Sequence, residues 1–138
     1  MSEITVSCKD WISTVTIDNP PNNYLDKEVL AELNKTISEV HASRSELRVV
    51  LFTAAGKHFS AGIDYAALAK MTKQEAGHLA EVGYNLLKHI ESLPVPVIAA
   101  VKGETTGAGL GLALAADIRI AASDTVFSFP EARFGVPP

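Results

Sequence analysis

Ile4, Val6 and Cys8 alternate with polar residues, and the stretch from Ile12 to Ile17 alternates again beyond Lys9-Asp10. A period of two puts apolar side chains on one face of a pleated strand, so the pattern predicts a hairpin of two strands. The alternation stops at Asn19-Pro20-Pro21-Asn22-Asn23, a run of turn formers that predicts a loop. From Asp26 the spacing changes. Val29, Leu30, Leu33, Ile37 and Val40 recur at helical intervals, with Asp26 as N-cap and acidic Glu28 in the first turn, and the helix is expected to end near His41 to Ser45.

Arg48 to Thr53 is a β-branched, mostly apolar run that suits a strand buried on both faces, and a loop of small residues, Ala54 to Gly62, follows it. Thr72 and Glu75 form an S/T-x-x-E capping box ahead of a long helix whose apolar face is Leu79, Val82, Leu86, Ile90 and Leu93. Pro94 and Pro96 end it. Val97 to Val101 predicts another buried strand, Lys102 to Gly109 a glycine-rich turn, and Leu110 to Ala116 a short helix apolar on nearly every side and hence wholly buried. Asp117 to Ala122 and Val126 to Phe129 read as further short strands, with breaks at Pro130 and Gly135. No repeat or linker divides the chain, which predicts one α/β domain.

The chain of 138 residues is 47% hydrophobic and 20% charged, apolar enough to predict surface covered by a further segment or a partner subunit. Its net charge of −4 argues against a general nucleic-acid surface, though a few local cations could still hold a phosphate-bearing ligand. Cys8 is the only cysteine, which excludes an intrachain disulfide and a cysteine-rich metal site and fits a reducing, cytoplasmic setting. The opening MSEITVSC lacks the basic start and apolar core of a signal peptide. The longest apolar or glycine stretch, Gly107 to Ala116, falls far short of the ~20 residues of a membrane span. A soluble protein without membrane or nucleic-acid partners is expected.

Two loops leave the ends of predicted buried strands: KHFSAGID, from Lys57 to Asp64, and KGETTGAG, from Lys102 to Gly109. Strand ends are where open α/β sheets hold ligands. Small residues (Ala61-Gly62 and Gly107-Ala108-Gly109) let the main chain approach a ligand, and each loop runs into a helix whose first N–H groups lack internal partners. Free donors converging on one point are what an oxyanion needs; tight turns with no ligand are the alternative. Leu112 stands where a dinucleotide fingerprint needs Gly or Ala, and no Gly-Lys-Ser/Thr follows for a P-loop. Ser60 lies too far past its strand for a nucleophile elbow.

Glu131 sits among Phe127, Phe129 and Pro130, apolar bulk of the kind that suits a carboxyl to proton transfer, with a surface ion pair to Arg133 as the alternative. Asp117 reads as a capping or pairing residue. His41, His78 and His89 fall on predicted helices without partners at metal-ligand spacing, and His58 is a weaker candidate for substrate contact.

HFSAGID, PVIAAVKGETTGAGLGLALAADIRIAASD and FSFPEARFGVPP, in this order and spacing, resemble the enoyl-CoA hydratase/isomerase (crotonase) family, and NPPNNYLD resembles its N-terminal P-x-x-N-x-L element. The resemblance implies an α/β, crotonase-like (ClpP/crotonase) spiral of ββα units, with residues 1–138 as the N-terminal part of that domain and the C-terminal part absent from this chain. It implies trimers or dimers of trimers. It also implies a CoA thioester, with coenzyme A carried by the substrate and no separate cofactor or metal. The thioester oxygen would sit between the N–H groups of Ala61 and Ala108, with Glu131 moving the proton. The CoA would run along Ser60, Gly62, Ile63 and Asp64 and past Gly107, against a wall formed in part by Asn23, Tyr24, Leu25 and Asp26. Where family hydratases carry a first catalytic glutamate, this sequence has Gly111. A one-acid site of this kind resembles the family's enoyl-CoA isomerases. Hydration, decarboxylation, thioester hydrolysis and non-catalytic acyl-CoA binding are the other readings.

Overall fold

The computed structural model describes residues 3–43 and 47–135. The last family-like motif therefore runs out of view at residues 136–138, and the far limit of the first predicted helix, at residues 44–46, also lies outside the described residues.

The hairpin forms as its alternation predicts. β1 (Glu3–Lys9) pairs antiparallel with β2 (Ile12–Asp18) around Asp10 and Trp11, both at positive φ. α1 (Lys27–Ala42) starts where Asp26 accepts from the Val29 N–H at 2.9 Å, and it ends at Ser43. β3 (Val49–Ala54) and β4 (Val97–Val101) extend the sheet in parallel, and β6 (Ile118–Ala121) closes it, giving the order β1-β2-β3-β4-β6. Between β3 and β4 lie a short α2 (Tyr65–Leu68), which has too few residues to show a period in the sequence, and the long α3 (Lys73–Glu91). α3 carries its full capping box: Thr72 accepts from the Glu75 N–H while the Glu75 carboxylate accepts from the Thr72 N–H. That reciprocal pair satisfies two N–H groups the helix cannot.

One face of the sheet builds the core. Val15 stands opposite Phe52 and Ile17 opposite Ala54; Val50 stands opposite Val97 and Phe52 opposite Ala99. These register pairs are buried beneath Val29, Leu33 and Ile37 of α1 and Leu79, Leu86 and Ile90 of α3. β3 alternates between buried and half-buried positions, so it is not enclosed on both faces as its unbroken apolar run suggests.

Two further expectations need correction. The glycine-rich turn contains a strand, β5 (Glu104–Thr106), which pairs in parallel with β7 (Val126–Ser128) as a separate two-stranded sheet. The helix α4 (Ala108–Leu114) is not wholly buried either: Gly109, Leu110, Leu112 and Ala113 are enclosed, whereas Leu114 is 52% exposed. Leu114 shares that exposure with Ile118, Ile120, Val126 and Phe127, and the apolar composition is thus accounted for by surface. Asp117 is structural as expected, though through the backbone of β4: its carboxylate accepts from the Val97 N–H at 2.8 Å and its own N–H donates to the Val97 carbonyl. Arg119 donates to the Ala116 carbonyl at 2.6 Å, satisfying an acceptor left over just past the end of α4. No described helix is long and apolar enough to cross a membrane.

Candidate active site

The loop after β3 is laced to β5. Phe59 N–H donates to the Lys102 carbonyl, Ser60 N–H to the Glu104 carbonyl, and Thr106 N–H returns to the Ser60 carbonyl at 3.0 Å. Asn23, at φ 51, holds the same loop from the other side, its Nδ2 donating to the carbonyls of Ala55 and His58. Ser60 Oγ donates to the Asn23 carbonyl at 2.6 Å and accepts from the Gly62 N–H at 3.1 Å. This lacing brings Gly62 against the start of α4. A Cβ built on Gly62 would stand 2.7 Å from the Thr106 carbonyl oxygen and 3.1 Å from the Ala108 nitrogen, so glycine alone fits there, at a φ of 82°.

The loop's free donor is not the one the sequence suggests. Ala61 N–H donates to the Asn22 carbonyl at 2.9 Å and is unavailable to a ligand. Ile63 N–H, one residue beyond Gly62, has no acceptor among the described residues, and neither has Ala108 N–H at the first position of α4. Because Gly62 packs against the start of α4, the free donors Ile63 N–H and Ala108 N–H lie in one neighbourhood. The sequence signal is the glycine itself: a positive φ at Gly62 turns the following amide away from the loop's own ladder.

Glu131 lies on a 3-10 helix (Pro130–Phe134) and is 7% exposed. Phe127 and Phe129, near it in sequence, are 48% and 39% exposed. Gly107 closes on the carboxyl: a Cβ there would meet Glu131 Oε1 at 2.5 Å and the Tyr65 hydroxyl at 3.3 Å. The carboxylate thus sits one residue before the Ala108 N–H. Gly107 N–H donates to the Ser128 carbonyl at 2.9 Å, continuing the β5–β7 ladder and fixing the acid relative to the donor. No ion pair joins Glu131 to Arg133 among the described residues. Tyr65, the first residue of α2, was not foreseen as a partner of the acid. Burial, a hydrogen bond to Glu131 and the charge of that carboxylate push its phenol from 10.0 up to about 12, so it stays a neutral donor.

Several residues expected along the CoA brace the loop. Asn23 and Leu25, of the expected wall, are each 2% exposed, and Ser60, of the expected loop contact, is fully buried. Tyr24 is half-buried with its hydroxyl accepting from Asn22, and Leu25 N–H donates to the Gly62 carbonyl. Asp26 and Asp64 are the N-caps of α1 and α2. His58 Nδ1 accepts from the Glu104 N–H at 2.9 Å, which ties its loop to β5. His41 and His89 face each other with ring centroids 5.8 Å apart, and no group of three or more potential ligands occurs among the described residues. At Gly111 an added Cβ would make ordinary contact, 3.8 Å from Leu87 Cδ1; the site has room for a side chain there and carries none.

The family model described as enoyl-CoA hydratase/isomerase matches residues 8–138. The chain is 35% identical over its whole length to the short-chain-enoyl-CoA hydratase of Clostridium acetobutylicum, covering 53% of that protein. Among solved structures it is similar to an enoyl-CoA hydratase from Bacillus anthracis, with 30% identity and a TM-score of 0.92 over 98% of this chain and 53% of that one. It is also similar to an enoyl-CoA hydratase from Thermoplasma volcanium, with 34% identity and a TM-score of 0.89 over 96% of this chain and 53% of that one. The fold is therefore that of the crotonases, and the chain spans about half the length of the curated relatives it matches.

Proposed function

This chain belongs to the enoyl-CoA hydratase/isomerase family, and on that footing we propose that it forms the acid-bearing part of an acyl-CoA enzyme that moves the double bond of an enoyl-CoA. The thioester oxygen accepts from Ile63 N–H and Ala108 N–H. The Glu131 carboxylate removes a proton from the α or γ carbon, charge flows onto the held oxygen as a dienolate, and the same carboxyl returns the proton at the other end. Tyr65, neutral at working pH, stands beside Glu131 as a donor that can keep it aimed. One preorganised donor contributes about 3 kcal/mol to such a transition state, so two make the chemistry practicable.

The observation that carries this reading is the wedge of Gly62 against Thr106 and Ala108, with Glu131 Oε1 packed on the adjoining Gly107. A second reading, water addition, is favoured by relatives named hydratases. It needs another polar group; Gly111 offers none, and Glu104 is exposed on β5. Assembly as trimers and a cytoplasmic location belong to the same proposal, as does the absence of any cofactor beyond the substrate's own coenzyme A.

The test is product analysis with the intact protein and its Glu131→Gln variant. Isomerisation leaves the mass of the thioester unchanged, whereas hydration adds one water. Glu131→Gln should abolish turnover and spare acyl-CoA binding. Full activity in that variant removes the acid from the mechanism.

A further inference from the structure

β1 is an edge strand of the larger sheet, hydrogen-bonded to β2 on one side and to no described strand on the other. Apart from Ile4, all of its 7 residues are exposed. Such an edge is a template for pairing with another chain. A two-residue turn makes its flanking pair, Lys9 and Ile12, a hydrogen-bonded pair, so the alternation turns the N–H and C=O groups of Ile4, Val6 and Cys8 outward.

Charge selects the occupant. Glu3 stands opposite Asp18 across the hairpin, a like-charge pair, and neither Glu3 nor Lys9 takes part in the ion pairs of the described residues. We propose that the free edge of β1 pairs antiparallel with β1 of a second copy of this chain about a twofold axis at Val6. In that register alone all of β1 overlaps: Val6 meets Val6 of the second copy, Ile4 meets Cys8, and Glu3 meets Lys9 at both ends. The Val6–Val6 and Ile4–Cys8 pairs are hydrogen-bonded through the outward groups just named, and Glu3–Lys9 is a non-hydrogen-bonded pair that meets through its side chains. The contact also supplies Glu3 with the cation its own hairpin lacks. Beside it, an apolar groove of about 450 Å³ between Val6, Cys8, Trp11 and Val40 would be narrowed by the second copy's Val6. Opposite residues of a pleated pair share a face, and Val6 is 45% exposed on this one.

The experiment measures particle mass by sedimentation velocity at low salt for the intact protein and for Lys9→Glu, Glu3→Lys and the double exchange. Pairing should double the particle. Either single exchange sets like charges opposite at both ends and should weaken pairing about tenfold or more, and the double exchange should restore it. Because Glu3→Lys also relieves the clash with Asp18, its loss of pairing would not be a loss of fold. Four proteins that sediment alike, or a double exchange no better than the singles, overturn the proposal. An independent reading is amide exchange at Ile4, Val6 and Cys8, which should slow as concentration rises. Fast exchange there at every concentration also overturns it.

Discussion

Replacing Ala108 by proline removes a single backbone hydrogen and puts a ring carbon in its place. Proline inside a helix costs about 3 kcal/mol because it removes a hydrogen bond and its ring strikes the carbonyl four residues back. Neither penalty applies here. Ala108 is the first residue of α4, its N–H has no acceptor among the described residues, and the first bond of the helix runs from Gly111 N–H to the Gly107 carbonyl at 3.0 Å. The first helical position also suits the fixed φ of proline. Folding stability should stay close to that of the parent, with thermal denaturation shifted by no more than about 2 °C, since a 1 kcal/mol change moves a domain of this size by only a few degrees. Turnover should fall at least ~100- to 1,000-fold: the lost donor alone costs about 3–4 kcal/mol of transition-state stabilisation, and the ring carbon also crowds the oxygen it would hold. The assay pairs steady-state turnover of an enoyl-CoA with a melting curve on the same preparation. Turnover within about threefold of the parent would show that this amide holds no developing charge. A large fall in melting temperature would show that the amide has a structural partner after all.

Other consequences can be checked in the same way. Gly62→Ala puts a methyl 2.7 Å from the Thr106 carbonyl and forces a φ of 82° on a residue with a side chain. It should cost ~1–2 kcal/mol in urea unfolding for the left-handed backbone and lower turnover by ~100-fold as the two turns part; unchanged kinetics would contradict the wedge. The Tyr65 phenol, raised from 10.0 to about 12 by burial first and by Glu131 second, binds its proton more tightly in the folded state. Its stabilising contribution is whole below about pH 10 and is lost as pH rises through about 12, so Tyr65→Phe should flatten the alkaline limb of unfolding free energy against pH. Parallel limbs would rule this out. Thr72→Ala removes one half of the capping box and should destabilise α3 by ~1 kcal/mol in chemical denaturation while sparing the kinetics.

The elements readable from the sequence are those governed by neighbours in the chain. The Asp26 cap, the Thr72–Glu75 box and the β1–β2 hairpin each depend on residues a few positions apart, and all three stand as expected. β7 is legible as a short strand, but its partner β5 is hidden in a glycine-rich stretch, and three residues give too short a run to show alternation. The free donor was misassigned for a related reason. Whether Ala61 or Ile63 keeps its N–H depends on the Asn22 carbonyl, brought there by a loop the local pattern does not connect. The close approach of Gly107 and Tyr65 to Glu131 likewise joins residues distant in sequence. The family-like motifs point to these two loops, and the tertiary contacts decide which atoms in them are available.

The hydrogen bond from Gly107 to Ser128 makes one rigid hinge-plate of the amide at the head of α4 and the acid three residues past β7. Thermal loosening of that plate would not retire these groups one after the other. Grip on the carbonyl and reach to the carbon should fade together, so a damaged enzyme would present itself as fewer working molecules, each with unaltered selectivity.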